Sequence, residues 1–365
     1  MIEFFKEYPP LENKIFQVID NHGKVINNKW MPEFSDEVIV KAYKDMLFAR
    51  TADLMAVSYQ RQGRMYTYPP NLGQEAISGA AGMIIREDDW LVPAFRELGL
   101  YLAKGATMTD VFLNFMGNEH GTAFKTAKNT LPMSIPIASQ LIHATGIGYA
   151  IKYKNEDQVV FAFVGDGGTS EGDFHEAVNF AGVWKVPVIF IVQNNQYAIS
   201  VPFKVQTASV NIAVKSFAYG IPGIKVDGND IFAMYQVLKA AHENARQGNG
   251  PVLIEALTYR KGAHTTSDDP TKYRKTDEEE VWSKTDPVNR LKYYLISKNL
   301  WKEEDEPKLL LQYKKEIDRQ FEEAEKLCLY NVDDVFDYMY VDMPEDLKNQ
   351  KMEYKKFLTW KEAQK

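Results

Sequence analysis

The stretch FAFVGDGGTSEGDFHEA, residues 161–177, passes from an apolar strand pattern into a glycine-rich turn that carries an acid. QVVFAFV (158–164) is typical of a buried strand, and Ser170 is a candidate cap for a helix that runs to about Trp184. A loop that only cradles phosphate through its backbone does not need the carboxylate of Asp166. The turn therefore predicts a ligand site at the end of a strand in which an acid takes part.

Strand and helix patterns alternate along the rest of the chain. Helices are predicted over 35–63, where Ser35 can act as the cap, over 73–85 and over 95–105. Alternation of this kind indicates an α/β fold with a mainly parallel sheet and right-handed crossovers. The other predicted strands are DWLVPA (89–94), VPVIFIV (186–192), GIKVDG (223–228) and VLIEALTY (252–259).

The chain divides into three predicted segments. Residues 1–34 form an irregular arm in which prolines discourage a continuous helix, residues 35–300 form the α/β domain, and residues 301–365 form a charged helical extension. Within the domain, residues 261–280 are polar and turn-rich, which predicts a flexible loop.

Composition excludes several classes of function. The 365 residues carry a formal charge of -7, which argues against general binding of nucleic acid. Cys328 is the only cysteine, so no intramolecular disulfide can form and a reducing compartment is expected. The N-terminus has no signal-peptide pattern, and the longest apolar runs are far shorter than the roughly 20 residues that span a bilayer. We expect a cytoplasmic protein that does not enter the membrane.

Polar side chains follow two strands that the alternating strand and helix pattern predicts to be neighbours in the sheet. Asp166 follows the first, and Asn195 follows the second. Ligands bind beyond the carboxyl ends of parallel strands, so these two oxygens, with the backbone carbonyl of Tyr197, predict a magnesium or calcium site. A dinucleotide loop is the alternative, but Ser170 stands where its third glycine belongs, and the second strand lacks the acid that holds a ribose.

A Gly-Asp-Gly turn followed one strand later by Asn194-Asn195 is the diphosphate-binding signature of thiamine diphosphate enzymes. The chain resembles, more closely, the alpha subunits of the two-chain 2-oxo acid dehydrogenases. The resemblance implies a three-layer α/β/α thiamine diphosphate-binding fold with a C-terminal helical region. It extends over nearly the whole chain and is carried by GRMYTYPPNLGQEA (63–76), FREL (95–98), the stretch 165–200, VDGND (226–230) and YRKGAHTTSDDPTKYR (259–274).

The resemblance assigns most of the polar residues to the cofactor, thiamine diphosphate with Mg²⁺. Asp166, Asn195 and the carbonyl of Tyr197 are the implied metal ligands. The implied diphosphate contacts are Gly167, Gly168, Arg96 and Arg260, and Phe95 stands where many members have a tyrosine that also bonds to the cofactor.

Other assignments concern the ring of the cofactor and the substrate. The backbone of Ile135 and Ile137 is implied to hold the aminopyrimidine ring. His264 matches the active-site histidine of a mobile loop, and His120 matches a second pocket histidine more loosely. The resemblance also implies a structural K⁺ site at Ser134, Pro136, Ser139 and Gln140.

The resemblance also implies partners. No glutamate that activates the aminopyrimidine ring can be identified in the chain. We therefore expect a beta subunit to complete the site in an α2β2 heterotetramer, and we expect the chain alone to be inactive. A lipoyl-bearing dihydrolipoyl acyltransferase would receive the acyl group.

The aromatic segment 66–68 leaves no evident large aliphatic pocket, which favours pyruvate as the substrate, whereas VDGND and HTTSDD resemble the branched-chain enzyme. A nicotinamide-dependent dehydrogenase and a non-catalytic metal- or nucleotide-binding module are the alternatives from other classes.

Overall fold

The computed structural model of the protein describes residues 2–364. Met1 and Lys365, the outermost residues of the predicted arm and extension, lie outside the described residues. The strands are β1 (Trp90–Val92), β2 (Val160–Gly165), β3 (Val188–Asn194), β4 (Tyr197–Ala198), β5 (Val201–Pro202), β6 (Gly223–Asp227) and β7 (Val252–Leu257). The α-helices are α1 (Asp36–Arg61), α2 (Glu75–Gly82), α3 (Leu98–Ala103), α4 (Met108–Phe115), α5 (Ser139–Lys154), α6 (Gly172–Trp184), α7 (Phe203–Gln206), α8 (Ile231–Arg246), α9 (Thr276–Ser283), α10 (Pro287–Ser297), α11 (Glu306–Leu327), α12 (Val332–Asp337) and α13 (Glu345–Glu362). Short 3-10 helices lie at Glu3–Glu7, Pro10–Glu12, Asn28–Trp30, Glu119–Thr122, Asp166–Ser170, Ala213–Tyr219, Pro270–Lys272 and Glu303–Asp305.

Five strands form one sheet in the order β1-β2-β3-β7-β6, and every neighbouring pair is parallel. The predicted parallel sheet is therefore confirmed. Because all five strands run the same way, their carboxyl ends lie along one edge. There Gly165 of β2 pairs with Gln193 of β3, and Asn194 pairs with Leu257 of β7.

Helices cover both faces of the sheet, which confirms the predicted three-layer arrangement. Alternate residues of β2 face opposite ways. Phe161 and Phe163 belong to a core shared with α1, α2 and α8, whereas Ala162 and Val164 belong to a second core shared with α5 and α6. Burial on both faces explains why the central strands are continuous apolar runs with no polar alternation.

The N-terminal segment packs onto the sheet. Phe16 is fully buried, its backbone N–H donates to the carbonyl of Lys225, and it forms a parallel bridge with Val226 of β6. The amides of Val18 and Ile19 both donate to Oδ2 of the buried Asp230. These bonds satisfy backbone groups that would otherwise be buried without partners.

The region beyond residue 300 begins with a helix that also packs on the domain. Phe321 of α11 is fully buried, and its ring stacks on Tyr59 of α1 with 3.8 Å between centroids. Helices α12 and α13 contact each other, and α13 has no buried residue among those the structure describes. The predicted division at residues 34 and 300 stays a prediction.

Two local predictions are wrong. Ser170 does not cap the helix after the turn, because Asp166–Ser170 forms a tight 3-10 helix and α6 begins at Gly172 after Glu171. Hydrogen bonds within the turn stabilise this geometry: the hydroxyl of Thr169 donates to the carbonyl of Asp166. The predicted flexible loop 261–280 is also too long, since α9 begins at Thr276 with three acids in its first turn, where they favour helix.

Ser35 occupies the predicted N-cap position of α1, although its side chain makes no capping hydrogen bond. Between residues 2 and 364, no helix is long and apolar enough to cross a membrane.

Candidate active site

A cavity of about 260 Å³ lies at the carboxyl edge of the sheet. Its walls come from the segments that follow β1, β2, β3 and β7, which is the position expected for a ligand site in a parallel α/β fold. Many residues singled out from the sequence line it: Phe95, Arg96, Ile137, Asp166, Gly167, Gly168, Asn195, Tyr197, Arg260 and His264.

Asp166 is almost completely buried in this cavity wall, with 1% of its surface exposed. Its Oδ2 accepts a hydrogen bond of 2.7 Å from Nε2 of Gln206, whereas its Oδ1 is buried without any hydrogen-bond partner. Burial raises the pKa of the Asp166 carboxyl to about 6. A cation at Oδ1 would both satisfy this oxygen and favour the charged carboxylate.

The other two predicted metal ligands lie on the adjacent strand end. The side chain of Asn195 is buried, and its Oδ1 accepts only a long bond of 3.4 Å from the Tyr197 amide. The Tyr197 carbonyl accepts a 3.2 Å bond from Nη1 of Arg260. A carbonyl has two lone pairs, so this bond leaves one acceptor position on the oxygen. The three groups form an all-oxygen donor set of the kind that Mg²⁺ prefers.

The glycines of the turn are required by close packing. A Cβ on Gly167 would lie 2.5 Å from the Cβ of Ala198, and one on Gly168 would overlap a methyl group of Val164. Glycine thus lets the turn lie directly against the β4 segment and the end of β2. The space that a side chain would need at these two positions is filled by protein atoms.

Two buried arginines converge on one histidine. Nη2 of Arg96 lies 3.1 Å from Nδ1 of His264, and Nη1 of Arg260 lies 3.4 Å from the same nitrogen. The hydrogen-bond partners of the two buried guanidinium groups among residues 2–364 are backbone carbonyls, the Tyr273 hydroxyl and the His264 ring, with no carboxylate among them. The two groups meet at one wall of the cavity, and the acids that act on them, Asp53 and Glu97 on Arg96 and Asp268 on Arg260, form no salt bridge with them. An anionic ligand could therefore pair with both guanidinium groups.

The charges of this cluster shift its titration. Burial, with the nearby Arg260, lowers the pKa of Arg96 to about 9, and burial together with the neighbouring Arg274 also lowers the pKa of Arg260. Burial and the two guanidinium groups lower the pKa of His264 to about 4. The imidazole is therefore neutral at neutral pH.

The loop that carries His264 is packed against the segment before α2. The amide of Thr266 donates to the Tyr68 carbonyl at 2.9 Å, and the Tyr68 amide donates to the Thr266 hydroxyl at 3.1 Å. The His264 amide donates to Asp268 at 2.7 Å. The guanidinium group of Arg274 donates to the carbonyl of Arg260 at 2.7 Å, so the loop is tied to the end of β7 as well.

Some predicted residues lie apart from the cavity. His120 is exposed on the 3-10 helix Glu119–Thr122, and Ile135 is 68% exposed; neither lines the cavity. Their predicted roles stay predictions. The proposed K⁺ ligands lie together: the hydroxyls of Ser134 and Ser139 are 3.1 Å apart and both donate to the Pro136 carbonyl at 3.0 Å. Gln140 donates to Phe163, and its Oε1 is buried without a partner.

Sequence reasoning missed two side chains near this site, the buried Glu97 and the half-buried Gln206. Glu97 accepts bonds from the Arg96 amide and from Nε2 of Gln193, and burial raises its pKa to about 7. Its position directly after Arg96 is a signal that could have identified it. Gln206 lies eleven residues beyond Asn195 in a segment with no regular pattern, so the sequence contains no such signal for it.

The arrangement is that of an α/β protein with a candidate site for a hard cation next to a candidate site for an anion. In the part of the chain that the structure describes, no group of three or more His, Cys, Asp and Glu side chains is placed to hold a metal ion. The candidate cation ligands are therefore the mixed carboxylate, amide and carbonyl set at Asp166, Asn195 and Tyr197.

Comparison with known proteins gives the family. The model of the family described as "Dehydrogenase E1 component" matches residues 43–331. The chain belongs to this family of enzymes, which confirms the resemblance predicted from the sequence.

Similar proteins named "Pyruvate dehydrogenase E1 component subunit alpha" come from three bacterial genera. The protein of Acholeplasma laidlawii is 44% identical over 342 residues, 93% of this chain and 99% of its own length. That of Mycoplasma genitalium is 40% identical over 351 residues, 95% of this chain and 98% of its own length. That of Staphylococcus aureus strain Mu50 is 39% identical over 343 residues, 94% of this chain and 93% of its own length.

Proposed function

We propose that the chain is the alpha subunit of the decarboxylating component of a pyruvate dehydrogenase complex. In this role it would take part in the oxidative decarboxylation of pyruvate with thiamine diphosphate and in acetyl transfer to a lipoyl group. Membership of the dehydrogenase E1 component family supports the class of reaction and implies the use of thiamine diphosphate. The names of the similar proteins, which cover nearly the whole chain, support pyruvate as the substrate.

One observation carries the proposal. The buried, unpartnered Oδ1 of Asp166 lines the same cavity as two arginines that donate to no carboxylate among the described residues. A divalent cation bound to a diphosphate satisfies both groups at once, because the cation neutralises the carboxylate and the phosphate oxygens accept from the guanidinium groups. Asp166, Asn195 and the Tyr197 carbonyl would hold Mg²⁺, and Arg96 and Arg260 would hold the diphosphate.

When bound, thiamine diphosphate supplies the electron sink that permits loss of carbon dioxide from a 2-oxo acid. The residues of this chain fix its position, since correct placement of reacting groups supplies much of a rate enhancement. His264 has a neutral imidazole whose Nδ1 faces the two guanidinium donors, so its Nε2 carries the hydrogen and can donate a hydrogen bond. The backbone of Ile135 and Ile137 would hold the aminopyrimidine ring, and Phe95 would lie against the cofactor.

The remaining roles depend on partners. A beta subunit would complete the site in an α2β2 heterotetramer, and a lipoyl-bearing dihydrolipoyl acyltransferase would accept the acetyl group. We also propose the cytoplasm as the location, a structural K⁺ at the Ser134–Ser139 cluster, and a second pocket role for His120. The division into an arm, a cofactor domain and a helical extension at residues 34 and 300 belongs to the same proposal.

The second candidate substrate class is the branched-chain 2-oxo acids, favoured by the VDGND and HTTSDD segments. A nicotinamide-dependent dehydrogenase and a non-catalytic binding module are disfavoured, because the chain belongs to the dehydrogenase E1 component family.

Calorimetric titration of the chain, co-expressed with the other subunits of its complex, tests the proposal. Thiamine diphosphate should bind in the presence of Mg²⁺ and should bind far more weakly after the Mg²⁺ has been removed by chelation. Asp166→Asn should lose this Mg²⁺ dependence, whereas Asp173→Asn, on α6 and outside the cavity lining, should retain it. Failure of the parent protein to bind thiamine diphosphate at any Mg²⁺ concentration would contradict the proposal.

A further inference from the structure

The side chain of Gln206 contacts the carboxylate that defines the candidate cation site. We propose that Gln206 is a positioning residue that holds Asp166 so that one particular carboxylate oxygen, Oδ1, is presented to the divalent cation. This inference rests on the proposed function, because it concerns the cation of that same site. It adds a residue that neither the signature around residues 165–195 nor the cavity lining includes.

The hydrogen bonds of the Gln206 amide select the oxygen. Nε2 donates to Oδ2 of Asp166 at 2.7 Å and to the Val201 carbonyl at 3.1 Å, so both of its N–H hydrogens are used. No other side chain of the described residues hydrogen-bonds to the Asp166 carboxylate. Oδ2 is thereby occupied and Oδ1 is left as the free oxygen.

The segment that follows β3 brings Gln206 close to Asp166. After β3, the backbone turns through the β4–β5 hairpin, in which Tyr197 pairs with Pro202, and Gln206 is the last residue of α7, which follows directly. The Phe203 amide donates to the Gln196 carbonyl at 2.9 Å and closes the hairpin. The hairpin that supplies the candidate carbonyl ligand at Tyr197 thus also places the amide that orients Asp166.

The backbone of Asp166 is held from a different direction. Its carbonyl accepts from the hydroxyl of Thr169 at 2.8 Å, and Lys215 donates to the Thr169 carbonyl at 2.6 Å. These bonds fix the turn but do not touch the carboxylate. Gln206 therefore restrains the rotation of the Asp166 side chain, which these backbone bonds leave free.

A second unpaired oxygen distinguishes this contact from an ordinary buried hydrogen bond. Oε1 of Gln206 is buried without a partner, as is Oδ1 of Asp166, and a Cβ on Gly167 would lie 3.7 Å from that Oε1. Buried acceptors normally have hydrogen-bond partners, so a purely structural role for this contact does not explain two unsatisfied acceptors close together. Bound Mg²⁺ usually keeps several waters, and an amide oxygen is an acceptor for such a water.

The test compares Gln206→Leu with the parent chain, each co-expressed with the other subunits of the complex. Leucine keeps most of the volume and removes the donor. Calorimetric titration with thiamine diphosphate at a series of Mg²⁺ concentrations gives the Mg²⁺ concentration for half-maximal binding, and electron paramagnetic resonance of bound Mn²⁺ gives a second measure of cation affinity. We expect a loss of cation affinity of about 10-fold to 100-fold, as is typical for the outer partners of metal ligands.

At saturating Mg²⁺, the amount of thiamine diphosphate bound should return to that of the parent. Lys204→Gln, an exposed change on the same short helix, is the matched control and should leave both cation readouts within twofold. Gln206→Met, which is more flexible and also lacks the donor, serves if the leucine variant does not fold.

The outcomes separate the two proposals. The role of Gln206 alone would be overturned if the parent binds thiamine diphosphate and the Mg²⁺ concentration for half-maximal binding differs by less than twofold between parent and variant. An equal loss of binding at every Mg²⁺ concentration, with a lower melting temperature, would also overturn it, because this indicates a structural role. A parent that binds no thiamine diphosphate would overturn the proposed function, and the inference with it.

Discussion

Arg96 donates two hydrogen bonds to His264: its Nη2 lies 2.6 Å from the histidine carbonyl oxygen and 3.1 Å from Nδ1. The arginine follows β1, and the histidine follows β7, so one guanidinium group joins the strand edge to the loop above it. Among the residues described here, the other hydrogen-bond partner of this group is the Pro70 carbonyl, and the group donates to no carboxylate. Arg96 is therefore placed both to bind an anion and to hold the histidine next to it.

Replacement of Arg96 by lysine should lower the affinity for thiamine diphosphate by about tenfold or more. Lysine keeps the charge but cannot make the paired bonds of the guanidinium fork, and hydrogen bonds to charged groups contribute about 1.5–3 kcal/mol. Calorimetric titration in saturating Mg²⁺ measures the effect. Arg319→Lys, an exposed change on α11, is the control, and equal affinities in all three proteins would contradict the role of Arg96.

The stability of the ligand-free protein should depend on pH through His264. Its pKa is lowered to about 4 in the folded chain, compared with about 6.5 in an unfolded one, so between these values the unfolded chain binds more protons. The contribution of His264 to the free energy of unfolding is therefore intact above pH 6.5 and declines as the pH falls toward 4.

Urea unfolding at pH 7 and pH 5 checks this prediction. The loss of stability between the two values should be smaller in His264→Asn than in the parent, and His143→Asn, at an exposed position on α5, should behave as the parent does. An identical loss in the parent and in His264→Asn would show that the imidazole is not held in its neutral form.

Gly168 in the turn and Gly172 at the start of α6 should respond differently to alanine. A Cβ on Gly168 would overlap Val164 on the sheet, so Gly168→Ala should lower the free energy of unfolding by about 1–3 kcal/mol. Gly172 has no atom within 4 Å of a built Cβ, so Gly172→Ala should change it by no more than about 0.5 kcal/mol. Thermal and chemical denaturation measure both, and similar effects would refute the packing explanation.

The isolated chain should not decarboxylate pyruvate. No glutamate that could activate the aminopyrimidine ring was identified in the sequence, so we expect a beta subunit to supply it. Carbon dioxide release should appear only after co-expression with that subunit, and it should be faster with pyruvate than with 3-methyl-2-oxobutanoate. Turnover by the purified chain alone would refute the need for a partner, and a preference for the branched acid would refute the substrate.

The sequence predicted the strand ends well because parallel pairing has few alternatives. Once β2 and β3 are recognised as neighbours, Asp166 and Asn195 must leave the sheet side by side. Gln206 could not be predicted in this way, because its contact depends on how the β4–β5 hairpin turns. Ser170 stands where a helix cap is expected, but the hydrogen bonds of the 3-10 turn decide where the helix begins.

The roles predicted for two exposed residues depend on contacts with other subunits. His120 and Ile135 are exposed in this structure, and a sequence pattern does not tell whether another subunit covers such residues. The loop after residue 260 shows a related difficulty. Its polar composition predicted irregular structure as far as residue 280, but the acids at 277–279 stabilise the start of α9, where their charge faces the helix N-terminus.

The meeting of Arg96 and Arg260 has a consequence for the thermodynamics of the whole fold. The buried guanidinium group of Arg260 lowers the pKa of Arg96, and this repulsion destabilises the protein as long as no anion lies between the two groups. A ligand that neutralises them should raise the melting temperature by more than its contact area alone would suggest, since it also removes a repulsion. An apolar residue in place of Arg96 would remove this repulsion, but it would also leave the carbonyls of Pro70 and His264 without their donor. The pair is thus tied to the backbone, and only a bound anion can relieve its repulsion without the loss of those bonds.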